Sequence, residues 1–203
     1  MTFEWNAHRF SGGVLALDLA NTVVFRETPE RSLDRFSDPA EVSRFSAAAA
    51  DYRQGEWGNV EFRPPRSPRE VAGLIDVREA INRLFRTAVQ GGGGLSPVPL
   101  SEFLHLGAKL VGDEPDEQPL ALPRPLKDGR QISLAAASFL SGVRLFDPLR
   151  LERIKICPNC HWLYFDESRN RSRRWCDMNV CGNRAKARRY YDRNTKQAGS
   201  SHG

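Results

Sequence analysis

The sequence predicts an α+β, helix-rich protein, with a mixed N-terminal domain followed by a small C-terminal metal-bound module. Three observations carry this. Between residues 10 and 146, apolar residues recur at helical spacing behind residues suited to helix starts. Four cysteines, Cys157, Cys160, Cys176 and Cys181, fall in the pattern C-x2-C-x15-C-x4-C. Charge is divided unevenly. Residues 144–196 hold 14 Lys/Arg against 6 Asp/Glu, and the rest of the chain holds 16 against 19. A mildly acidic body with a basic end suggests a polyanion-binding module appended to another domain.

The elements follow in order. FSGGVLALDLANTVVF (residues 10–25) has Leu15, Leu19 and Val23 at helical spacing, so a helix is favoured, with a β-branched end that can be extended. Asp38-Pro39 with Glu41 marks a second helix start. Residues 51–66, with Trp57, two glycines and Pro64-Pro65, read as irregular. Ser67 and Glu70 have capping-box spacing ahead of a broad apolar stripe from Val71 to Val89, which ends at Gly91–Gly94. No Gly-Lys-Ser/Thr follows those glycines, so they read as a helix stop and connector rather than a phosphate loop. A shorter helix is predicted from Pro99 to about Leu110. An edge hairpin is predicted over Leu120–Leu126 and Gln131–Leu134, and a buried helix over Ser133–Phe146. Composition changes at Asp147-Pro148. The predicted organisation is a domain over 1–150, a module over 151–194 and an unstructured tail over 195–203.

Composition narrows the setting. The chain has 203 residues, 40% hydrophobic and 27% charged, as in an ordinary globular protein. No run approaches the roughly 18 uninterrupted apolar residues of a membrane helix. The N-terminal apolar stretch is broken by Asp18 and Asn21 and preceded by Glu4, unlike a secretory signal. A cytoplasmic location is therefore expected, where thiols stay reduced and cysteines bind metal or carry out redox work.

CPNCH at 157–161 has the form of a c-type haem attachment site. That reading leaves Cys176 and Cys181 unexplained, and covalent haem belongs outside the cytoplasm. Two close pairs about 15–20 residues apart match a four-cysteine Zn²⁺ site; a redox dithiol or an iron–sulfur cluster is the alternative. HWLYF (161–165) reads as a strand, residues 166–170 as a turn, Arg171–Trp175 as a return strand, and the segment from Cys181 to Tyr191 as a helix. A knuckle, a hairpin and a helix holding the last ligand pair at its start make a treble-clef layout. One structural Zn²⁺ is expected, and His161 becomes an ordinary hairpin residue.

Nine cations surround this site: Arg169, Arg171, Arg173, Arg174, Arg184, Lys186, Arg188, Arg189 and Arg193. Four thiolates and Zn²⁺ total −2, which needs only a couple of cations, so the excess points to nucleic acid. Arg184–Arg188 and Arg189–Arg193 are i,i+4 like-charge pairs, whose repulsion a polyanion would relieve. Trp162, Trp175, Tyr190 and Tyr191 are read chiefly as the core of a small module, with base stacking as the alternative. One finger buries only about 600–1,000 Å² on DNA, so a homodimer or partner is expected. In the N-terminal domain, Asp18, Asn21 and Arg78 are the candidate polar lining of a small-molecule pocket, against a bland role in core hydrogen bonding. His8 and His105 have no triad partners, and no enzyme is predicted.

WCDMNVCGNRAKARRYY at 175–191 resembles the CGNR zinc-finger family, named for the motif that is Cys181-Gly182-Asn183-Arg184 here. LALDLANT at 15–22 and DVREAINRLF at 76–85 are similar to the ABATE domain that accompanies this finger. The resemblance implies a stress-induced transcription regulator, with a treble-clef finger for DNA and an N-terminal domain for an unidentified ligand. A zinc-stabilised adaptor for RNA or protein is the alternative.

Overall fold

The computed structural model describes residues 3–114 and 131–199, with side chains through residue 191. It is α+β and mostly helical, as predicted. At its centre lies α1 (Leu15–Ala20), six residues long and buried on every side. Apolar residues cover all of its faces because other elements surround it: α4 (Pro68–Gln90), α6 (Leu134–Val143) and strand β6 (Leu163–Phe165). The helix predicted over residues 10–25 is therefore shorter, and its β-branched end forms β1 (Val23–Val24), antiparallel to β2 (Leu33–Asp34).

Helix starts match the cap residues. The Asp38 carboxylate accepts from Ala40 N at the start of α2 (Pro39–Tyr52). Ser67 Oγ accepts from Glu70 N at the start of α4, a bond whose loss costs about 1 kcal/mol. The Glu70 carboxylate reaches Arg66 N, one residue before the capping-box partner. Residues 51–66 are more regular than predicted, with a short α3 (Gln54–Trp57) and β3 (Glu61–Arg63). β3 pairs in parallel with β4 (Gln131–Ser133), a partner not predicted from the sequence. A parallel pair needs a long crossover, and α4 and α5 (Pro97–Gly112) supply it. The rest of the predicted hairpin, residues 120–130, lies outside the described residues.

After α6 comes α7 (Pro148–Leu151), whose first turn Asp147 caps by accepting from Leu149 N and Arg150 N. Packing runs across the boundary expected near residue 150: Leu145, Leu151 and Ile154 share one core. β5 (Ile154–Ile156) pairs antiparallel with β6, Ile154 opposite Phe165 and Ile156 opposite Leu163. Side chains alternate along this hairpin. Ile154, Leu163 and Phe165 join the main core, while Trp162 and Tyr164 face the cysteines. One small sheet thus serves two cores.

The join is close. Phe165 N donates to Gly12 O at 2.8 Å. Gly13 has φ +90, and a Cβ there would lie 3.1 Å from Phe165 Cβ, so only glycine lets the loop pass the strand. The final helix, α8 (Asn183–Gly199), continues past the predicted start of an unstructured tail; its Lys, Gln and Ala residues sustain a helix. Residues 200–203 lie outside the described residues.

Candidate metal centre and nucleic-acid interface

All four cysteines are buried, and their sulfurs lie within 4.8 Å of one another. Cys160 Sγ is 3.4 Å from Cys176 Sγ, which is 3.6 Å from Cys181 Sγ. A tetrahedron with Zn–S bonds of about 2.3 Å has an edge of about 3.8 Å, so the cluster has the size of one Zn²⁺ site. Disulfide bonds would need about 2.05 Å. The sulfurs also share protons. Hydrogen bonds from the other three thiols lower the Cys157 pKa, while donation raises those of Cys160 and Cys176. Zinc therefore has protons to displace as it binds.

The local chain explains the geometry. The knuckle closes through His161 N to Cys157 O and Cys157 N to Trp162 O, both 2.9 Å. His161 takes φ 62, its Nδ1 meets the Glu27 carboxylate, and its carbonyl accepts from Arg86 at 2.8 Å. Cys176 precedes Asp177, which caps the turn Met178–Gly182 that carries Cys181 into α8. Gly182 is closely covered: a Cβ would lie 2.4 Å from Met178 Sδ and 3.2 Å from Trp175 Cδ1, so a side chain there would push the Met178 thioether aside. Asn183 Nδ2 donates back to Asn179 O at 2.9 Å, and Arg184 faces solvent. Each member of CGNR thus has a separate physical job: ligand, close approach, turn brace and free cation. Asn159 Nδ2 lies 3.4 Å from Cys181 Sγ and adds a donor to that sulfur.

The predicted return strand, Arg171–Trp175, is absent. β6 pairs backward across the knuckle with β5, and residues 171–175 turn their carbonyls to side chains instead. Lys155 Nζ meets Arg171 O and Arg173 O, and Arg173 donates to Trp175 O. Asp166 anchors this loop. Fully buried, it accepts from Lys155 Nζ at 2.6 Å, Ser168 Oγ at 2.6 Å, Ser168 N at 2.9 Å and Arg173 N at 3.1 Å. Burial alone would raise its pKa, but Lys155 and Ser168 outweigh it and hold it at about 2.

The nine cations separate into groups. Arg173 turns inward, donating to the carbonyls of Ser11, Phe165, Trp175 and Cys176 over the Tyr164 ring. It braces the loop against the N-terminal body and does not face solvent as a phosphate ligand would. Arg171 is exposed and paired with Glu152. Arg169, Arg174, Arg184, Lys186, Arg188 and Arg189 are exposed. The Arg193 side chain lies outside the described residues. Among the aromatics predicted as core, Trp162 is buried and Trp175 half-buried, but Tyr190 and Tyr191 are 58% and 69% exposed.

Asp18, Asn21 and Arg78 do not converge on one pocket. Asp18 is buried, accepts from Gly12 N and Arg53 Nε, and is pushed by burial up to about 7 despite Arg53. Both Asn21 side-chain groups engage the Leu163 peptide, and Arg78 grips both Asp34 oxygens at 2.7 Å. Each is occupied by core or ion-pair contacts. A cleft of about 600 Å³ opens nearby instead, between the body (Val14, Tyr52, Gly55, Arg144) and the chain entering the finger (Arg150, Phe165).

Fold and site together define a class: a zinc-finger protein whose metal module is built onto a helical body by a shared hairpin. The chain belongs to the ABATE family, whose model, described as "Putative stress-induced transcription regulator", matches residues 13–142. Residues 153–194 match the CGNR zinc finger. Among curated proteins, none matches the chain. Among the described residues, no helix is long and apolar enough to cross a membrane.

Proposed function

We propose that this zinc-finger regulator binds duplex DNA through a treble-clef finger, and that its N-terminal domain responds to a small molecule or pairs two copies of the chain. The observation that carries this is α8. From Arg184 to Tyr191 every side chain except Ala185 is exposed, and four are cationic. Over these described residues the helix turns no apolar face to its own body and carries dense positive charge, which suits a polyanion. About 4–6 phosphate contacts give a log–log salt slope of roughly −3.6 to −5.4.

Arg188→Ala with Arg189→Ala is expected to lower affinity for duplex DNA and to flatten that slope by about 1.8, at roughly 0.9 per phosphate. Unchanged binding in a fluorescence-anisotropy titration would remove the helix from the interface. Exposed Tyr190 and Tyr191 favour a second reading, an adaptor that stacks single-stranded RNA bases on these rings. Tighter binding to single-stranded RNA than to duplex would select it.

The small-molecule part of the reading has room in the cleft. Gly55 lines it, and a Cβ there would meet nothing within 4 Å. Gly55→Leu should therefore add bulk to the wall of the cleft without a clash at Cβ and weaken any ligand-dependent change in DNA affinity. A ligand response left unchanged by this substitution would place the ligand elsewhere.

A further inference from the structure

The segment from Phe3 to Phe10 packs beside the start of α8. His8 Nδ1 lies 2.9 Å from Asp177 Oδ2, and its ring lies against Trp162 with centroids 5.3 Å apart. The next residue, Arg9, belongs to a second cationic group that the charge count of the whole body conceals. The guanidinium carbons of Arg9 and Arg35 lie 5.0 and 4.0 Å from the centroid of the same Phe3 ring.

Among the described residues, neither Arg9 nor Arg35 has a carboxylate within ion-pair distance, and the Nε of each is buried without a hydrogen-bond partner. The acids nearby are already engaged. Asp177 holds His8 and the N–H groups of Asn179 and Val180. Glu41, whose charge favours the protonated Arg35, is held by the Trp5 indole and by Arg44. Burial, then the charges of Arg35 and Arg184, lower the pKa of Arg9. Arg9 thus lies in the field of Arg35, which shares its Phe3 ring, and of Arg184 on the helix, an arrangement that an anion relieves.

We propose that Arg9 and Arg35 form a phosphate-binding subsite that extends the nucleic-acid surface of the finger onto the N-terminal domain, next to the His8–Asp177 contact with the start of the last helix. This rests on the reading of the finger as DNA-binding. The Phe3 ring positions the two guanidiniums, and their terminal N–H groups, not the buried Nε, are the donors offered to phosphate oxygens. A contact from the body fixes the orientation of the whole chain on DNA, which a single finger footprint does poorly.

The test is a titration of zinc-loaded full chain with a fluorescein-labelled mixed-sequence DNA duplex at several KCl concentrations. Arg9→Ala with Arg35→Ala is expected to flatten the log–log slope by about 1.8. If wild type and variant converge near 1 M salt, that slope change corresponds to about 60-fold weaker binding near 0.1 M. Arg9→Lys with Arg35→Lys, which keeps the charge, should restore most of the slope. Wild type that binds while the alanine variant keeps the same slope overturns the subsite and leaves the finger reading intact. Lysine variants as weak as alanine would show that the arginines act only by packing on Phe3, and would also overturn it. Wild type that fails to bind duplex at low salt defeats the finger reading and this proposal together.

Discussion

Removing zinc is expected to unfold the finger from Asp166 to α8 while leaving the helical body and the β5–β6 hairpin in place. The second core consists of Val24, the four cysteines, Trp162 and Tyr164, with Phe25 and Trp175 at its edge. So little apolar area cannot hold four cysteines together without a metal. Structural Zn²⁺ contributes roughly 10–16 kcal/mol in finger peptides, more than any single contact here. The hairpin differs because its other face belongs to the main core through Ile154, Leu163 and Phe165. Chelation, or Cys176→Ser, should therefore red-shift the fluorescence of Trp162 and Trp175 and open residues 166–182 to protease. Zinc added back should release protons, because the thiols cannot all ionise side by side without it. Unchanged protease resistance after chelation would show that the metal is not structural.

Asn21→Ala is expected to destabilise the zinc-loaded protein by about 2–6 kcal/mol, since it leaves two buried backbone groups unpaired at about 1–3 kcal/mol each. Asn21 Nδ2 donates to Leu163 O at 2.8 Å, and Leu163 N donates to Asn21 Oδ1 at 3.0 Å. The amide thus acts as a one-residue strand partner, tying the end of α1 to the first residue of β6. Water cannot replace it, because Asn21 and Leu163 are both buried. Asn21→Asp should be no better, since a carboxylate oxygen would face the Leu163 carbonyl. Urea unfolding at saturating zinc measures the loss, and a change below about 0.5 kcal/mol would mean that the pairing is dispensable. Body and finger are expected to loosen together, because the same peptide lies between both cores.

Some of this was legible from single residues and spacings. The caps at Asp38 and Ser67, the long amphipathic α4 and the four-cysteine site depend on neighbours a few positions apart or on a ligand type that tolerates few alternatives. The glycine of CGNR was legible as a motif but not as a mechanism, since its reason is the Met178 and Trp175 side chains packed over it. Arg173 was misjudged for a related reason. A long cation near a metal site looks the same in sequence whether it turns to solvent or to carbonyls contributed by Ser11, Phe165 and Cys176. Arg9 and Arg35 carried no local signal, because only packing brings both against the one Phe3 ring.

By itself, then, the sequence determined the helix-rich α+β class, the zinc ligands, the basic character of the last helix and the family. These follow from periodicity, ligand chemistry and local capping, which act over a few residues. Only the tertiary structure decided which cations face outward, where Asn21 points, that β5 pairs with β6 across the knuckle, and that the two domains share that hairpin. Those outcomes depend on how buried groups find partners in the packed chain, some of them more than 100 positions away, as Asn21 finds Leu163 and Arg173 finds Ser11. The cost of leaving such a group unpaired is paid only when the chain is packed, so no short stretch of sequence announces it.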